Sequence, residues 1–167
     1  MTELVVLCDD AGNPTGTAPK ETVHTAETPL HLAFSCWVFR GDDVLLTRRA
    51  LTKKTWPGVW TNTFCGHPGP GEATVDAVHR RAAFELGAQL SDVALALPDF
   101  RYRAVDSSGV VENEICPVYT ARVAGTIDPN PEEIDSCAWV PLDAVRRAVA
   151  ATPFAFSPWM VEELALL

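Results

Sequence analysis

The stretch of sequence that decides the fold is GHPGPGEATVDAVHRRAAFELGA, from Gly66 to Ala88. Its central part, Glu72 to Leu86, predicts an amphipathic helix, because apolar residues recur there at intervals of three and four. The residues of this apolar stripe are Val75, Val78, Ala82 and Leu86. The turn residues Pro68 to Gly71 precede the helix, and Gly87 is suited to end it as a left-handed C-cap.

The same stretch resembles the Nudix box, whose pattern is G-x5-E-x7-R-E-U-x-E-E-x-G-U, with U an apolar residue. The positions in register are Gly66, Glu72, Arg80, Ala82, Glu85, Gly87 and Ala88. In that family the helix carboxylates hold a divalent metal ion against a diphosphate, and carboxylate oxygens suit Mg²⁺. Arg81 and Phe84 stand where the family has Glu. The resemblance therefore implies the fold, but not the hydrolytic chemistry, which needs several carboxylates.

Outside this stretch, strand and helix patterns mix without a regular βαβ rhythm. Strands are expected at Glu3–Cys8, His31–Phe39, Val44–Arg48, Val59–Gly66 (a strand or an extended loop), Ala94–Val105, Val110–Val123 and Ser136–Val140. The second and third of these flank Arg40-Gly41-Asp42-Asp43, which predicts a hairpin. Helices are expected at Leu142–Ala150 and after Ser157-Pro158, a Ser cap with Pro at the first helical position. We expect one α/β (α+β, Nudix-like) domain over residues 1–167, with a mixed β-sheet core and helices packed on its faces.

The charge and hydropathy of the chain exclude some classes of function. The net charge of −9 argues against a nucleic-acid-binding protein, which normally carries a basic surface. No apolar run approaches the roughly 18 residues needed to span a bilayer, so no membrane span is expected. Met1-Thr2-Glu3 lacks the basic region of a secretion signal, and we expect a cytoplasmic location.

The basic residues are clustered although the chain is acidic. Arg48, Arg49, Lys53 and Lys54 lie close together in the sequence. An acidic protein that gathers its cations is suited to hold a small anion, although solvated surface patches would give the same pattern. The five cysteines are odd in number and include no C-x-x-C pair, so we expect free thiols rather than a disulfide framework or a structural zinc site.

Side chains two positions apart on a strand lie on one face, which pairs Cys65 with His67 and Glu112 with Glu114. Two carboxylates on one strand face repel each other unless a cation lies between them. Together with His67, the histidines on either side of Pro29, His24 and His31, could complete a site for Zn²⁺, Mn²⁺ or Mg²⁺. Spacing alone leaves open that these are ordinary surface or hydrogen-bonded histidines.

Five longer segments of the sequence narrow the choice of protein family. They are HTAETPLHLAFS (24–35), TRRALTKKTWPGVWTNTFCGHP (47–68), DFRYRA (99–104), ENEICPV (112–118) and FSPWM (156–160). All of them resemble the type 1 isopentenyl diphosphate isomerases, and the similarity extends from about residue 4 to residue 160. Known members of that family have a Nudix-type fold with the same degraded box, which accounts for Arg81 and Phe84.

The resemblance implies a role for individual residues. The metal ligands would be His24, His31, His67, Glu112 and Glu114, and Glu85 would bind a second ion, Mg²⁺, that bridges to the diphosphate. The proton-transfer groups would be Cys65 and Glu114, with Tyr102 assisting the glutamate. The diphosphate contacts would be Lys20, Arg49, Lys53 and Arg81, and Trp159 would line the hydrocarbon pocket. The partner would be a small prenyl diphosphate, and the chain a monomer or weak homodimer.

The chemistry that this predicts moves a double bond through a tertiary carbocation. Glu114 with Tyr102 would act on one face of the substrate and Cys65 on the other. A metal ion on Glu114 would make its proton more acidic, and the metal and His67 would favour the thiolate of Cys65.

Other side chains have less specific expectations. An indole face would stabilise the cation, with Trp159 the first candidate and Trp60 the next, whereas Trp37 and Trp139 are expected in the core. Arg101 and Arg103 are expected on a solvated face. Two alternatives remain: a Nudix pyrophosphohydrolase acting on a small diphosphate, and a non-catalytic metal-dependent binding module.

Overall fold

The computed structural model describes residues 2–167, which form two β-sheets and four α-helices. The strands are β1 (Leu4–Cys8), β2 (Pro14–Pro19), β3 (His31–Leu32), β4 (Phe34–Arg40), β5 (Asp43–Arg49), β6 (Trp60–Thr61), β7 (Phe64–Gly66), β8 (Ser91–Leu97), β9 (Arg101–Val105), β10 (Val111–Ile115), β11 (Val118–Arg122) and β12 (Ile134–Pro141). The helices are α1 (Lys20–Val23), α2 (Thr74–Leu86), α3 (Leu142–Ala151) and α4 (Pro158–Leu166), with a 3₁₀ turn at Pro153–Ala155. The expected mixed sheets with helices are confirmed.

The first sheet has the strand order β2-β1-β3-β10-β9. Its short strand β3 pairs antiparallel with β1 and parallel with β10. The register places Glu114 of β10 opposite His31 of β3 on one side and opposite Tyr102 of β9 on the other. Three of the expected site residues therefore lie in one row across three neighbouring strands.

The second sheet has the order β12-β5-β4-β11-β8, and the short strands β6 and β7 extend it by pairing with β5 and β4. The expected hairpin between β4 and β5 is confirmed, with Arg40 opposite Asp43. Strand β7 runs antiparallel to β4 and places Cys65 opposite Ser35. Cys65 thus belongs to one sheet and Glu114 to the other.

Helix α2 confirms most of the expected pattern and corrects one residue of it. Val78, Ala82 and Leu86 are buried, but Val75 is 40% exposed, so the predicted apolar stripe is wrong at that position. The helix instead turns Arg81 and Glu85 toward the protein interior, where both are buried. Gly87 adopts the expected left-handed conformation, with φ of 58°.

Two strands expected to be continuous are broken at prolines. Ala94–Val105 is divided into β8 and β9 at Pro98, and Val110–Val123 into β10 and β11 at Pro117. Proline cannot donate a ladder hydrogen bond, and at both places the chain leaves one sheet for the other. The strand β2, which the prolines and glycines around it concealed, is an exposed edge strand, where Pro is tolerated.

Helix α4 begins as expected, because the Ser157 hydroxyl accepts the backbone N–H of Met160 and Pro158 is the first helical residue. Its buried face carries Trp159, Met160, Glu163 and Leu164. Trp159, Met160 and Leu164 pack into an apolar cluster with residues of both sheets, which fixes the helix beside the site.

Candidate active site

Residues of both sheets line a cavity of about 440 Å³. The expected site residues in its lining are Lys20, His24, Arg49, Lys53, Cys65, His67, Arg81, Tyr102, Glu112, Glu114 and Trp159. The remaining two, His31 and Glu85, are buried and contact the lining at Glu114 and Arg81 respectively. The structure therefore brings all of the expected site residues together.

One wall of the cavity gathers three imidazoles around two carboxylates; we call His24, His31, His67, Glu112 and Glu114 the His–Glu wall. Glu114 Oε1 lies 3.3 Å from His31 Nε2 and 3.0 Å from His67 Nε2. His24 Nε2 lies 3.1 Å from Glu112 Oε2 and 3.9 Å from Glu114 Oε1. Coordinating atoms of the three histidines and Glu114 all lie within 4.8 Å of one another.

The bonding of the His–Glu wall fits a bound metal ion. His31 Nδ1 lies 2.9 Å from the Pro29 carbonyl, a contact that places its proton there and leaves Nε2 as a lone pair. His24 Nε2, His31 Nε2 and Glu112 Oε2 are buried without a hydrogen bond of acceptable geometry. Buried polar atoms are normally satisfied, so these atoms point to a further group that binds them. Imidazole and carboxylate together suit Zn²⁺ or Mn²⁺, and carboxylate alone suits Mg²⁺.

The pKa values in the His–Glu wall also indicate that the two carboxylates favour an added positive charge. Burial opposes protonation of His24, but its contacts with Glu112 and Glu114 outweigh burial and raise its pKa to about 9. Burial lowers the pKa of His67 to about 4. Burial would raise the pKa of Glu114, yet its three histidine contacts hold that pKa well below the usual value. Without a metal ion, the wall thus takes up a proton on His24 beside an ionised Glu114.

Two hydroxyl groups hold the carboxylates of this wall in place. The Tyr102 hydroxyl donates to Glu114 Oε2 at 2.9 Å, and the Thr55 hydroxyl donates to Glu112 Oε1 at 2.7 Å. Arg49 in turn donates to the Thr55 carbonyl at 2.9 Å. Thr55 therefore links the carboxylates to the cations at the cavity mouth, a role that the sequence did not reveal although Thr55 lies within the string TKKTW.

Cys65 lines the same cavity from β7, in the other sheet from Glu114. Its thiol is 3.5 Å from the Ser35 hydroxyl, its neighbour across the β7–β4 pair. Burial raises the pKa of Cys65 well above its usual range. Burial lowers the pKa of His67 to about 4, so the chain's own residues leave Cys65 as the thiol. The expectation that a metal ion and His67 favour the thiolate stays a prediction.

A second wall carries the four expected diphosphate contacts; we call Lys20, Arg49, Lys53 and Arg81 the cation wall. The ion pairs of its members are Lys20 with Glu3 at 3.2 Å, Lys53 with Glu133, and Arg81 with Glu85 and, at 3.5 Å, with Glu133. Arg49 bonds to Thr55 instead. Glu133, which bridges two of these cations, was not found from the sequence because it lies in a different, acidic segment.

The cations lie close enough together to perturb one another. Burial lowers the pKa of Lys53 to about 8, and the neighbouring charges of Arg49, Arg81 and Lys20 lower it further. Burial and Arg81 likewise lower the pKa of Lys20. Mutual repulsion of this kind is relieved by an anion placed among the cations, which is what a diphosphate would supply.

Aromatic rings cover the inner end of the cavity. Trp159 is 2% exposed, with its ring 5.7 Å from Tyr102 and 5.2 Å from Trp56. Trp56 packs edge-on against Trp159. The expectation of Trp60 is wrong, because Trp60 does not line the cavity and is held in β6 against Phe156. Trp56 lies in the loop between β5 and β6, with φ of 43°, where no strand or helix pattern indicates its position.

The other tryptophans and arginines agree with their expectations. Trp37 is fully buried and Trp139 packs against the core. Arg101 and Arg103 are exposed. The fourth histidine, His79, is exposed on α2, outside the site.

In the Gly66–Ala88 stretch, residues in register with the Nudix pattern have structural roles. Arg80 donates to Glu72 at 2.8 Å and to the His67 carbonyl at 3.1 Å, so it ties the helix to the loop that carries His67. A side chain at Gly66 would approach Phe34 to 2.7 Å and Arg81 to 2.8 Å, which only glycine avoids. These residues thus hold β7 against α2 and set the positions of Cys65 and Arg81.

Comparison with known proteins agrees with this arrangement. Residues 29–160, more than half of the chain, match the NUDIX domain. A Clavibacter sepedonicus protein named Isopentenyl-diphosphate Delta-isomerase is 61% identical over 167 residues, covering 99% of this chain and 88% of that protein. The chain belongs to the isopentenyl-diphosphate Delta-isomerase family of NUDIX proteins.

Family members from less similar sources align over nearly the same length. The Paenarthrobacter aurescens isomerase is 59% identical, covering 95% of this chain and 87% of its own. The Salmonella arizonae isomerase is 54% identical, covering 95% of this chain and 88% of its own. The match therefore includes the segments before residue 29 and around Trp159, which carry part of the site.

Solved structures show the fold at much lower identity. A Deinococcus radiodurans protein superposes with a TM-score of 0.75 at 17% identity and covers 98% of each chain. A Methanosarcina mazei MutT protein gives 0.61 at 17% identity, covering 82% of this chain and 91% of its own. Among residues 2–167, no helix combines the length and apolar composition needed to cross a bilayer.

Proposed function

We propose that this chain interconverts isopentenyl diphosphate and dimethylallyl diphosphate by adding a proton to one carbon and removing a proton from another. The observation that carries the proposal is the placement of Cys65 and Glu114 on different sheets, facing one cavity. A double-bond shift through a carbocation needs two proton-transfer groups on opposite sides of a flat carbon skeleton. The relatives named for this isomerase activity support the same assignment.

In the proposed mechanism, the reaction of the terminal alkene starts with Glu114 protonated and Cys65 as the thiolate. Glu114 gives its proton to the terminal alkene carbon, and the tertiary carbocation forms. The thiolate accepts the proton that leaves the neighbouring carbon, which leaves the internal double bond, an ionised Glu114 and the Cys65 thiol. These final protonation states are the ones that the chain's own residues favour. Tyr102, bonded to Glu114 Oε2, keeps that carboxyl oriented toward the cavity. In the reverse direction the two groups exchange roles.

The His–Glu wall would hold one divalent metal ion, Mn²⁺, Zn²⁺ or Mg²⁺, and its unsatisfied buried atoms support this assignment. When bound, the ion would act as a Lewis acid that makes a proton on Glu114 more acidic. His31 is held by Pro29 with Nε2 facing the carboxylates, which prepares it as a ligand.

The cation wall would anchor the substrate by its diphosphate. Lys20, Arg49, Lys53 and Arg81 line the cavity, and two of them already share one carboxylate, Glu133. A diphosphate would compete with the protein's own carboxylates for these donors. We propose that Mg²⁺ enters with the diphosphate and is held by Glu85, since a single carboxylate leaves most Mg²⁺ positions to substrate oxygens and water.

The aromatic end of the cavity would receive the hydrocarbon part of the substrate. The Trp159 indole lies over Tyr102 and is shielded from water. An indole face stabilises a desolvated cation by roughly 1–2 kcal/mol. The same face would keep water and other nucleophiles away from the carbocation.

The test is to incubate the chain, loaded with Mn²⁺ and supplied with Mg²⁺, with isopentenyl diphosphate and to follow ¹H and ³¹P NMR. We expect the signals of dimethylallyl diphosphate and an intact diphosphate. Inorganic phosphate as the main product would favour a pyrophosphohydrolase, against which Arg81 and the half-exposed Phe84 already argue. Binding without turnover would favour the metal-dependent binding module. Chain treated with a chelator is the control.

Some expectations stay predictions of the sequence. They are a single domain over residues 1–167, a cytoplasmic location, a monomer or weak homodimer, and the absence of nucleic-acid and membrane partners.

A further inference from the structure

Beside the Ser35 hydroxyl that Cys65 contacts, a carboxyl group is fully buried. Glu163 of α4 is 0% exposed. Its Oε2 accepts from Trp37 Nε1 at 2.7 Å and from the Ser35 hydroxyl at 2.9 Å, while Oε1 has no hydrogen-bond partner within residues 2–167. A buried carboxyl without a cation is unfavourable unless it is neutral, so its presence beside the site calls for an explanation.

Glu163 reaches Cys65 through one hydroxyl group. The Ser35 hydroxyl accepts from Asn62 Nδ2 at 2.7 Å and donates its single proton to Glu163. With that proton directed to Glu163, the remaining lone pair of Ser35 faces the Cys65 thiol at 3.5 Å. Asn62 is itself fixed, since Nδ2 also donates to the Cys36 carbonyl at 3.0 Å and Oδ1 accepts from Thr61.

We propose that Glu163 is a positioning residue that acts through Ser35 to hold the thiol of Cys65 toward the cavity. The proposal rests on the proposed function, in which Cys65 transfers a proton to or from the substrate. If Glu163 did not direct the Ser35 proton, that proton could turn toward the sulfur, and the thiol would keep only its longer contact with Asn62 Oδ1, at 4.0 Å. The rotamer of Cys65 would then no longer be fixed.

The surroundings of Glu163 favour its neutral form. Burial raises its pKa to about 8, and the charges of Glu114 and Glu162 act in the same direction. The other titratable groups that interact with it are thiols, those of Cys36, Cys65 and Cys116. Among residues 2–167 no cation pairs with it. A neutral amide of the same shape should therefore replace it, because Gln keeps an oxygen that accepts from Ser35 and Trp37.

The experiment compares four variants with the unmodified chain: Glu163→Leu, Ser35→Ala, Glu163→Gln and, as the matched control, Glu162→Gln, whose side chain is exposed on the same helix. We measure kcat and KM with isopentenyl diphosphate. Leu at 163 and Ala at 35 should lower kcat by roughly 10- to 10²-fold, the scale of a misplaced reacting group, with KM within about twofold. Glu163→Gln should retain kcat within about threefold, and Glu162→Gln should match the unmodified chain.

A second readout needs no substrate and separates failure of this inference from failure of the proposed function. The rate of Cys65 alkylation by iodoacetamide is followed by peptide mass spectrometry, with Cys137 as the internal reference. The rate should fall at least about threefold in Glu163→Leu and Ser35→Ala and stay unchanged in Glu163→Gln. Ser35→Ala keeps the inference testable if Glu163→Leu does not fold.

Two results would overturn the inference. The first is a folded Ser35→Ala or Glu163→Leu chain with unchanged kcat and unchanged Cys65 alkylation. The second is a Glu163→Gln chain as impaired as Glu163→Leu, which would mean that the carboxyl itself carries a proton that an amide cannot. If the unmodified chain failed to isomerise the substrate while the alkylation pattern held, the proposed function would fail and the positioning role would stand.

Discussion

In the His–Glu wall, His24 Nε2, His31 Nε2 and Glu112 Oε2 are buried without a hydrogen bond. In the cation wall, by contrast, each charge has a carboxylate or carbonyl partner. The first arrangement needs an additional positive charge that the chain does not supply. The second already holds acceptors that a diphosphate must replace. The comparison teaches that the two walls should respond differently to substitution: the His–Glu wall through metal content and kcat, and the cation wall through KM.

The largest effect is expected from the two proton-transfer groups. Cys65→Ala and Glu114→Gln should each lower kcat by at least about 10²-fold, the lower end for loss of an acid–base group. Steady-state kinetics with isopentenyl diphosphate measures this, and Cys137→Ala, at a half-buried thiol outside the cavity, is the control for cysteine loss. Near-normal turnover by folded Cys65→Ala would remove Cys65 from the mechanism.

Loss of a histidine from the His–Glu wall should act through the metal. His31→Ala removes a buried Nε2 that faces Glu114, so we expect metal affinity to fall by at least roughly 10²-fold, and kcat with it. Elemental analysis of the unmodified chain should find one metal ion per chain at this site. His79→Ala, at the exposed histidine of α2, should alter neither value. Full activity of a chain freed of metal at this site would contradict the Lewis-acid account.

The cation wall should give the opposite response. Arg81→Lys keeps the charge but loses the planar fork that suits bidentate contact, so KM should rise about tenfold with a smaller change in kcat. Arg81→Glu is a poorer probe, because it would place a third carboxylate beside Glu85 and Glu133 and endanger folding. Arg147→Lys, at an exposed arginine of α3 that pairs with Asp143 outside the cavity, is the control. An unchanged KM for Arg81→Lys would show that the fork of Arg81 does not bind the diphosphate.

The smallest effect concerns the pH dependence of the cation wall. Because the pKa of Lys53 lies at about 8, its charge is present below that pH and is lost above it. Diphosphate binding should favour the charged form, so KM should be flat below pH 8 and rise at pH 9, by up to roughly tenfold. In Lys53→Arg the charge persists, and this part of the rise should disappear. A rise of equal size in both chains would assign it to another group.

The sequence predicted the site further than it predicted the strands. Helix α2 with its Gly87 cap, the β4–β5 hairpin and the Ser157 cap follow from local patterns and are confirmed. The expectation of continuous strands across Pro98 and Pro117 was wrong, because strand-forming residues lie on both sides of each proline and no local pattern shows that the chain changes sheet there. Val75 was misplaced because it lies in the first turn of α2, at the exposed end of a stripe whose other residues are buried.

The site residues were found through long strings shared with a family, rather than through spacing. Spacing paired Glu112 with Glu114 correctly, and both contact His24. It could not show that β3 carries His31 alongside Glu114, because a two-residue strand has no pattern of its own. Glu163 escaped notice for a related reason: beside Glu162 near the end of an apolar helix it resembles an ordinary surface acid.

The central claim is that one of two groups in the cavity, Glu114 and Cys65, gives a proton to the substrate and the other accepts one. The most direct measurement is ²H and ¹³C NMR of the product formed from isopentenyl diphosphate in D₂O with Mg²⁺. Since the protons of Glu114 and Cys65 exchange with solvent, the account predicts dimethylallyl diphosphate that carries deuterium at the newly protonated carbon, with the diphosphate intact. Product without deuterium, or release of phosphate in place of isomerisation, would contradict it.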